Sequence, residues 1–185
     1  METFKLFFGL GLQHILSGHD HLLFLAALIL VAPSIADLTK VITAFTITHS
    51  VTLVLCALNI IRLDPVITEA FIAASILYVG VENVVAPVQR RRWIVAGLFG
   101  LVHGSGFSGH LTDLLKAVMS QGGVWQAITG FNLGIEAGQI IVIAILFPLV
   151  LWLRRSEKAG LIITELSRAI AATGLVLMVQ RIGGT

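Results

Sequence analysis

The sequence predicts an all-α membrane protein: a polytopic bundle of about six spanning helices, preceded by a short N-terminal apolar segment, in a single transmembrane domain over residues 1–185. Three observations carry this reading. Of 185 residues, 57% are hydrophobic and 12% charged, where an ordinary soluble domain carries about 25% charged residues. The mean hydropathy of +0.97 excludes a soluble globule and a disordered chain alike. The 12 basic and 10 acidic side chains are gathered between apolar runs, and those runs approach the ~20 residues that cross a bilayer.

Read between breaks, the spans lie near 19–34, 38–60, 65–86, 93–117, 124–153 and 159–182. Turn and helix-end chemistry separates them: Pro33-Ser34 with Asp37, Asp64-Pro65, Pro87 before Arg90-Arg91-Arg92, Gln121-Gly122-Gly123, and Arg154-Arg155 through Lys158. Residues 4–17 (FKLFFGLGLQHILS) are too short to span alone. They form either the outer part of one long tilted helix or a separate re-entrant or interfacial segment. A cleaved signal peptide is not expected, because Met1-Glu2-Thr3-Phe4 offers neither a basic start nor a small-residue cleavage site.

A formal net charge of +2 and a pI near 9.0 do not indicate a nucleic-acid partner, since the basic residues sit in short clusters where membrane topology accounts for them. Lys40, Arg90, Arg91, Arg92, Arg154, Arg155 and Lys158 fall in one set of alternate loops; Arg62, Lys116 and Arg181 fall in the other. Positively charged short loops stay in the cytoplasm, so this distribution places both termini outside. Cys56 is the single cysteine, which excludes an intramolecular disulfide and a cysteine-based zinc site.

All six histidines fall within or at the ends of apolar segments, together with several carboxylates and amides. Ionisable groups at that depth cost about 2.5–3.5 kcal/mol each. His14 and His21 are seven residues apart and share a face if the helix is continuous, with His19 and Asp20 beside them. His49 sits mid-way along the second span, His103 mid-way along the fourth with His110 seven residues on, and Asn132, Glu136 and Gln139 form a polar stripe on the fifth. Counting ~1.5 Å per residue in alternating directions brings groups from four helices to one outer-to-central level. That coincidence of depth argues against separate interhelical hydrogen bonds, the simpler alternative for any one of them.

Imidazole and carboxylate without thiolate suit Ni²⁺, Co²⁺, Zn²⁺, Cu²⁺ or Fe²⁺ and suit Ca²⁺ or Mg²⁺ poorly. The expected ligands are His14, Asp20, His21, His49, His103 and Glu136, supported by His19, His110, Asn132, Gln139 and Glu69; Glu69 fits equally well as an acid at a helix N-terminus. Glu82 and Asn83, beside the arginine triplet, read as an interfacial ion-pair site or an inner gate, and Glu165 and Arg168 as an i,i+3 pair. Gly97, Gly100, Gly104, Gly106 and Gly109 permit close helix approach, and Trp93 and Trp152 read as interfacial anchors.

Residues 11–25 (GLQHILSGHDHLLFL), 43–50 (TAFTITHS), 99–104 (FGLVHG) and 131–139 (FNLGIEAGQ), in this order, resemble the HupE/UreJ membrane protein family. The resemblance implies a bacterial inner-membrane nickel or cobalt permease, with the family's first signature on His14, Asp20 and His21 and its second on His103 and Gly104. Gly100 and the stretch Ser105-Gly106-Phe107 stand where the better-known nickel permeases carry a further histidine and a glutamate, which implies a second subfamily. Three functions stay open: metal transport, favoured by the resemblance; an intramembrane hydrolase using water activated on a metal held by His21, His49, His103 and Glu136, with Asp20 or Asn132 in support; and a metal-stabilised structural or sensory subunit. The expected partners are the lipid bilayer and a divalent metal ion, with a homo-oligomer left open.

Overall fold

The computed structural model describes residues 1–58, 60–86, 91–106, 114, 117–118 and 123–184. The described residues form seven helices: α1 (Glu2–Ser17), α2 (His19–Val31), α3 (Ile35–Ala57), α4 (Pro65–Val85), α5 (Arg92–His103), α6 (Val124–Leu153) and α7 (Ala159–Gly183). Their starts follow local chemistry. Ser34 Oγ accepts from the Asp37 amide at 3.1 Å and opens α3. Asp64 Oδ1 accepts from the Val66 and Ile67 amides, with Pro65 in the first turn of α4.

Four helices (α3, α4, α6 and α7) are long and apolar enough to cross a membrane, and α1 with α2 makes a fifth if the pair counts as one passage. About six spans is consistent with this. The remaining candidate, α5, has 12 residues. The span read at 93–117 therefore ends as regular helix at His103, and most of its remainder, including His110, lies outside the described residues.

The first passage is not one continuous helix. Gly18 adopts φ −78°, ψ 96°, and α1 and α2 meet at a bend of 69°. A β-carbon at Gly18 would collide with the His14 carbonyl and the His21 ring, so glycine is what lets both histidines crowd the break. Such interruptions are tolerated at membrane depth where protein surrounds them.

Glycines pave the three closest helix pairs. Along α1 and the first half of α6, Gly11 lies against the Phe131 carbonyl, Gly130 against that of Phe4, and Gly134 against that of Phe8. Between α3 and α5, Gly100 faces the Phe45 carbonyl and Gly104 that of His49; between α4 and α7, Gly80 meets Ala171 and Gly174 meets Leu77. Small residues allow backbones to approach where lipid offers no hydrophobic drive for association. α2 runs through the middle, its Phe24, Leu28 and Ile29 packed in one cluster with Phe45, Ile76, Val79, Val142 and Phe147.

Charged contacts mark both ends of the bundle. At one, the start of α2, the start of α4 and the end of α7 converge: Arg181 donates to Asp20 at 2.6 Å and to the Glu69 carbonyl at 2.8 Å. At the other, Arg92 at the start of α5 donates to Glu82 Oε2 at 2.9 and 3.1 Å and to Asn83 Oδ1, all three residues buried. Asn83 in turn donates to the Ala27 carbonyl at 2.8 Å. These are called the Arg181 end and the Arg92 end below.

Candidate functional site

Four imidazoles from α1, α2, α3 and α5 meet between the two ends. His21 is central: its ring centroid lies 4.4 Å from that of His14, 5.1 Å from His103 and 6.2 Å from His49. His14 and His49 are 6.0 Å apart. His49 and His103 are 0% and 1% exposed, and His21 is 9%. Among the described residues, His21 Nε2 and His103 Nδ1 are buried with no hydrogen-bond partner. On its other side His103 meets α4, where Ser75 Oγ lies 2.9 Å from its Nε2.

An aromatic layer backs this group toward the Arg92 end. Phe24 follows His21 by three residues, while Phe45 and Phe99 precede His49 and His103 by four. Since α2 runs toward the Arg92 end and α3 and α5 run away from it, each phenylalanine sits one turn from its histidine in the same direction. Their rings touch: Phe24 to Phe45 at 5.4 Å, Phe24 to Phe99 at 5.9 Å, and Phe45 to His103 at 5.1 Å. Tyr78, one turn beyond Ser75, packs on Phe99 at 5.5 Å, and Glu82 follows one turn later. Imidazoles, aromatic rings and the Glu82–Arg92–Asn83 cluster thus form three successive layers. A cavity of about 10 Å³ beside His21, bordered by Phe24, Phe45 and Gln139, has room for about one water molecule.

The model of the HupE / UreJ protein family matches residues 1–182. The chain belongs to the HupE / UreJ family. No curated protein and no solved structure matches it.

In this HupE / UreJ protein, His14, His21, His49 and His103 are brought together, but other residues expected beside them are not. Glu136 is exposed on α6. α1 covers one side of that helix through Gly130, Gly134 and Gly138, α3 covers the adjoining edge through Asn132 and Gln139, and Glu136 falls one step past that edge. The Asn132 side-chain amide meets the Ser50 hydroxyl at 2.5 Å, and Gln139 accepts from Thr46 at 3.0 Å, so both amides tie α6 to α3. Asp20 is held by Arg181, Glu69 stands at the same end with its carboxylate 3.8 Å from Arg181, and His19 is exposed at the helix break. Among the described residues no three His, Cys, Asp or Glu side chains stand arranged to hold a metal ion; the four rings are neighbours whose nitrogens do not yet converge.

Reading the sequence did not single out Ser75, Phe24, Phe45 or Phe99. A signal for the phenylalanines was present, because all three keep a one-turn offset from a histidine once helix direction is counted. The α1–α6 seam was also missed, although Gly130, Gly134 and Gly138 carry the small-xxx-small pattern of close-packed membrane helices.

Proposed function

We propose that this protein transports a divalent late first-row metal ion, nickel or cobalt foremost, across the bacterial inner membrane, and that His14, His21, His49 and His103 receive it. The observation that supports this reading most is the meeting of four imidazoles from four helices at one depth. Two imidazoles bound tetrahedrally to one ion at about 2.1 Å have ring centroids roughly 5 Å apart, close to the His14–His21 and His21–His103 separations of 4.4 and 5.1 Å. Side-chain rotation is then enough to aim the nitrogens, without moving the helices. The donor set is right for this class of metal, and nickel and cobalt are what the family resemblance implies.

Transport requires access from one face at a time. The aromatic layer and the Glu82–Arg92–Asn83 cluster close the Arg92 end, about two helical turns or ~10 Å from the level of Ser75. With room beside His21 for about one water, an ion enters by exchanging hydration for imidazole. Hydrolysis is less well supported, because it needs a carboxylate or similar base beside the metal-bound water, and among the described residues Asp20 is held by Arg181 and Glu136 faces outward.

Uptake into proteoliposomes containing a metal-responsive dye tests the proposal. The wild-type protein should move Ni²⁺ or Co²⁺ inward, and the His49→Gln, His103→Gln double variant should reconstitute equally well but not transport. Wild-type uptake by the double variant would overturn the site; absence of uptake by the wild-type protein would overturn the function.

A further inference from the structure

Ser75 holds a position that specifies which nitrogen of His103 is available. Its hydroxyl oxygen lies 2.6 Å from the Ile72 carbonyl and 2.9 Å from His103 Nε2. A serine hydroxyl has one hydrogen, and a carbonyl can only accept. The hydrogen is therefore spent on Ile72, the usual back-bond of a serine to the preceding helical turn. Toward His103 the oxygen can then only accept, so Nε2 must carry the proton. A neutral imidazole has one N–H and one bare nitrogen; with the proton on Nε2, the lone pair is on Nδ1. That atom is buried and has no hydrogen-bond partner among the described residues. Ser75 is 0% exposed, packed toward α5 where its hydroxyl meets His103, so bulk water does not compete for that hydroxyl.

We propose that Ser75 is a positioning residue that locks His103 as the Nε2–H tautomer and thereby presents Nδ1 to the metal. The metal half of this statement rests on the transport reading above; the tautomer half does not. It also gives α4 a part in the site, although α4 carries none of the four histidines. A partner that fixes the tautomer and orientation of a ligating imidazole is what an outer-shell group contributes at a metal centre.

The two halves are read separately by nuclear magnetic resonance on full-length protein labelled with ¹⁵N-histidine in detergent, with the His103 signals assigned through His103→Gln. In metal-free protein His103 should be a single Nε2–H tautomer, and Ser75→Ala should convert it to a mixture of both. Adding Zn²⁺ as a diamagnetic probe should displace the Nδ1 resonance while Nε2 keeps its proton. Ni²⁺ affinity should fall about 10- to 100-fold in Ser75→Ala and return in Ser75→Thr, which keeps the hydroxyl; circular dichroism and melting temperature establish that each variant is folded. A purely structural serine would alter melting temperature without altering the tautomer. An Nδ1–H tautomer in the wild-type protein overturns the proposal with no variant needed, as does Ser75→Ala with wild-type tautomer and affinity. If the wild-type protein binds neither Zn²⁺ nor Ni²⁺, the transport reading fails, while the tautomer still decides the role of Ser75.

Discussion

Among the described residues His21 has its ring beside those of His14, His103 and His49, at 4.4, 5.1 and 6.2 Å, so its loss should be felt more than that of any peripheral polar group. His21→Gln is expected to lower Ni²⁺ affinity about 10- to 100-fold, as loss of a coordinating or orienting group does. Glu136→Gln, on the exposed side of α6, should leave affinity within about twofold, since among the described residues it has no contact with the imidazoles to lose. Titration calorimetry on both variants decides, and a collapse of binding in Glu136→Gln would return that carboxylate to the ligand set. These two residues also mark how far sequence reading reaches. The histidines were legible because depth along a helix is a matter of counting, and an imidazole in an apolar run is costly enough to register. Azimuth is harder: Asn132, Glu136 and Gln139 share a stripe, yet about 60° of rotation about the helix axis separates an amide buried against α3 from a carboxylate outside it. Ser75 was silent for another reason, since a serine among Ala73 and Ala74 reads as a small packing residue until the ring of another helix is placed against it.

Among the devices that hold the elements together are glycine seams and a buried ion pair, and each predicts a distinct failure. Gly134 lies against the Phe8 carbonyl, so Gly134→Leu should push α1 off α6 and carry His14 away from His21. The expected result is a protein that still inserts, because its apolar helices still satisfy the bilayer, but has weakened metal binding; unchanged affinity would show that the seam does not position His14. For the ion pair, Arg92 and Glu82 side chains are each 9% exposed. Arg92→Leu leaves a buried carboxylate without its partner and should cost about 3–5 kcal/mol, whereas Glu82→Leu with Arg92→Leu should recover most of that, since a buried pair replaced by apolar groups is often neutral. Equilibrium unfolding in detergent measures both, and equal losses in single and double variants would mean that the pair does not act as a unit. Four of the long helices were legible from hydropathy and punctuation, with Asp64-Pro65 marking the start of α4. The boundary between 4–17 and 19–34 was also legible, with a continuous tilted helix left as the alternative; the 69° bend at Gly18 was not, because hydropathy records what a segment is made of and not where it bends. α1 was too short at 16 residues to announce itself as anything but a fragment.

At the scale of the whole molecule the order of charges predicts how the bundle sits. Thr3 and Phe4 of α1 lie beside Gly123 and Gly130 at the start of α6, and Arg181 near the end of α7 holds Asp20 and Glu69 at the starts of α2 and α4. Both termini are therefore at the Arg181 end. Among the described residues that end also holds Lys5 and Arg62, whereas Lys40, Arg91, Arg92, Arg154, Arg155 and Lys158 gather at the Arg92 end. Exposed apolar side chains such as Ile140, Ile145, Leu149, Val176 and Val179 cover the flanks between, where lipid replaces water as the solvent. The bias of Lys and Arg toward cytoplasmic loops predicts that the Arg92 end faces inside; under the proposed transport the ion pair and aromatic layer would then close the cytoplasmic side and the metal would enter from outside. A C-terminal alkaline phosphatase fusion should then be active, and a C-terminal fluorescent protein fusion dark. The weakest crossing in this arrangement is α5, whose 12 residues extend about 18 Å against a hydrocarbon core of ~30 Å. Because the start of α1 and the end of α7 lie at the same end whatever path the chain takes beside α5, a fluorescent, phosphatase-inactive fusion would put that end inside and overturn the orientation.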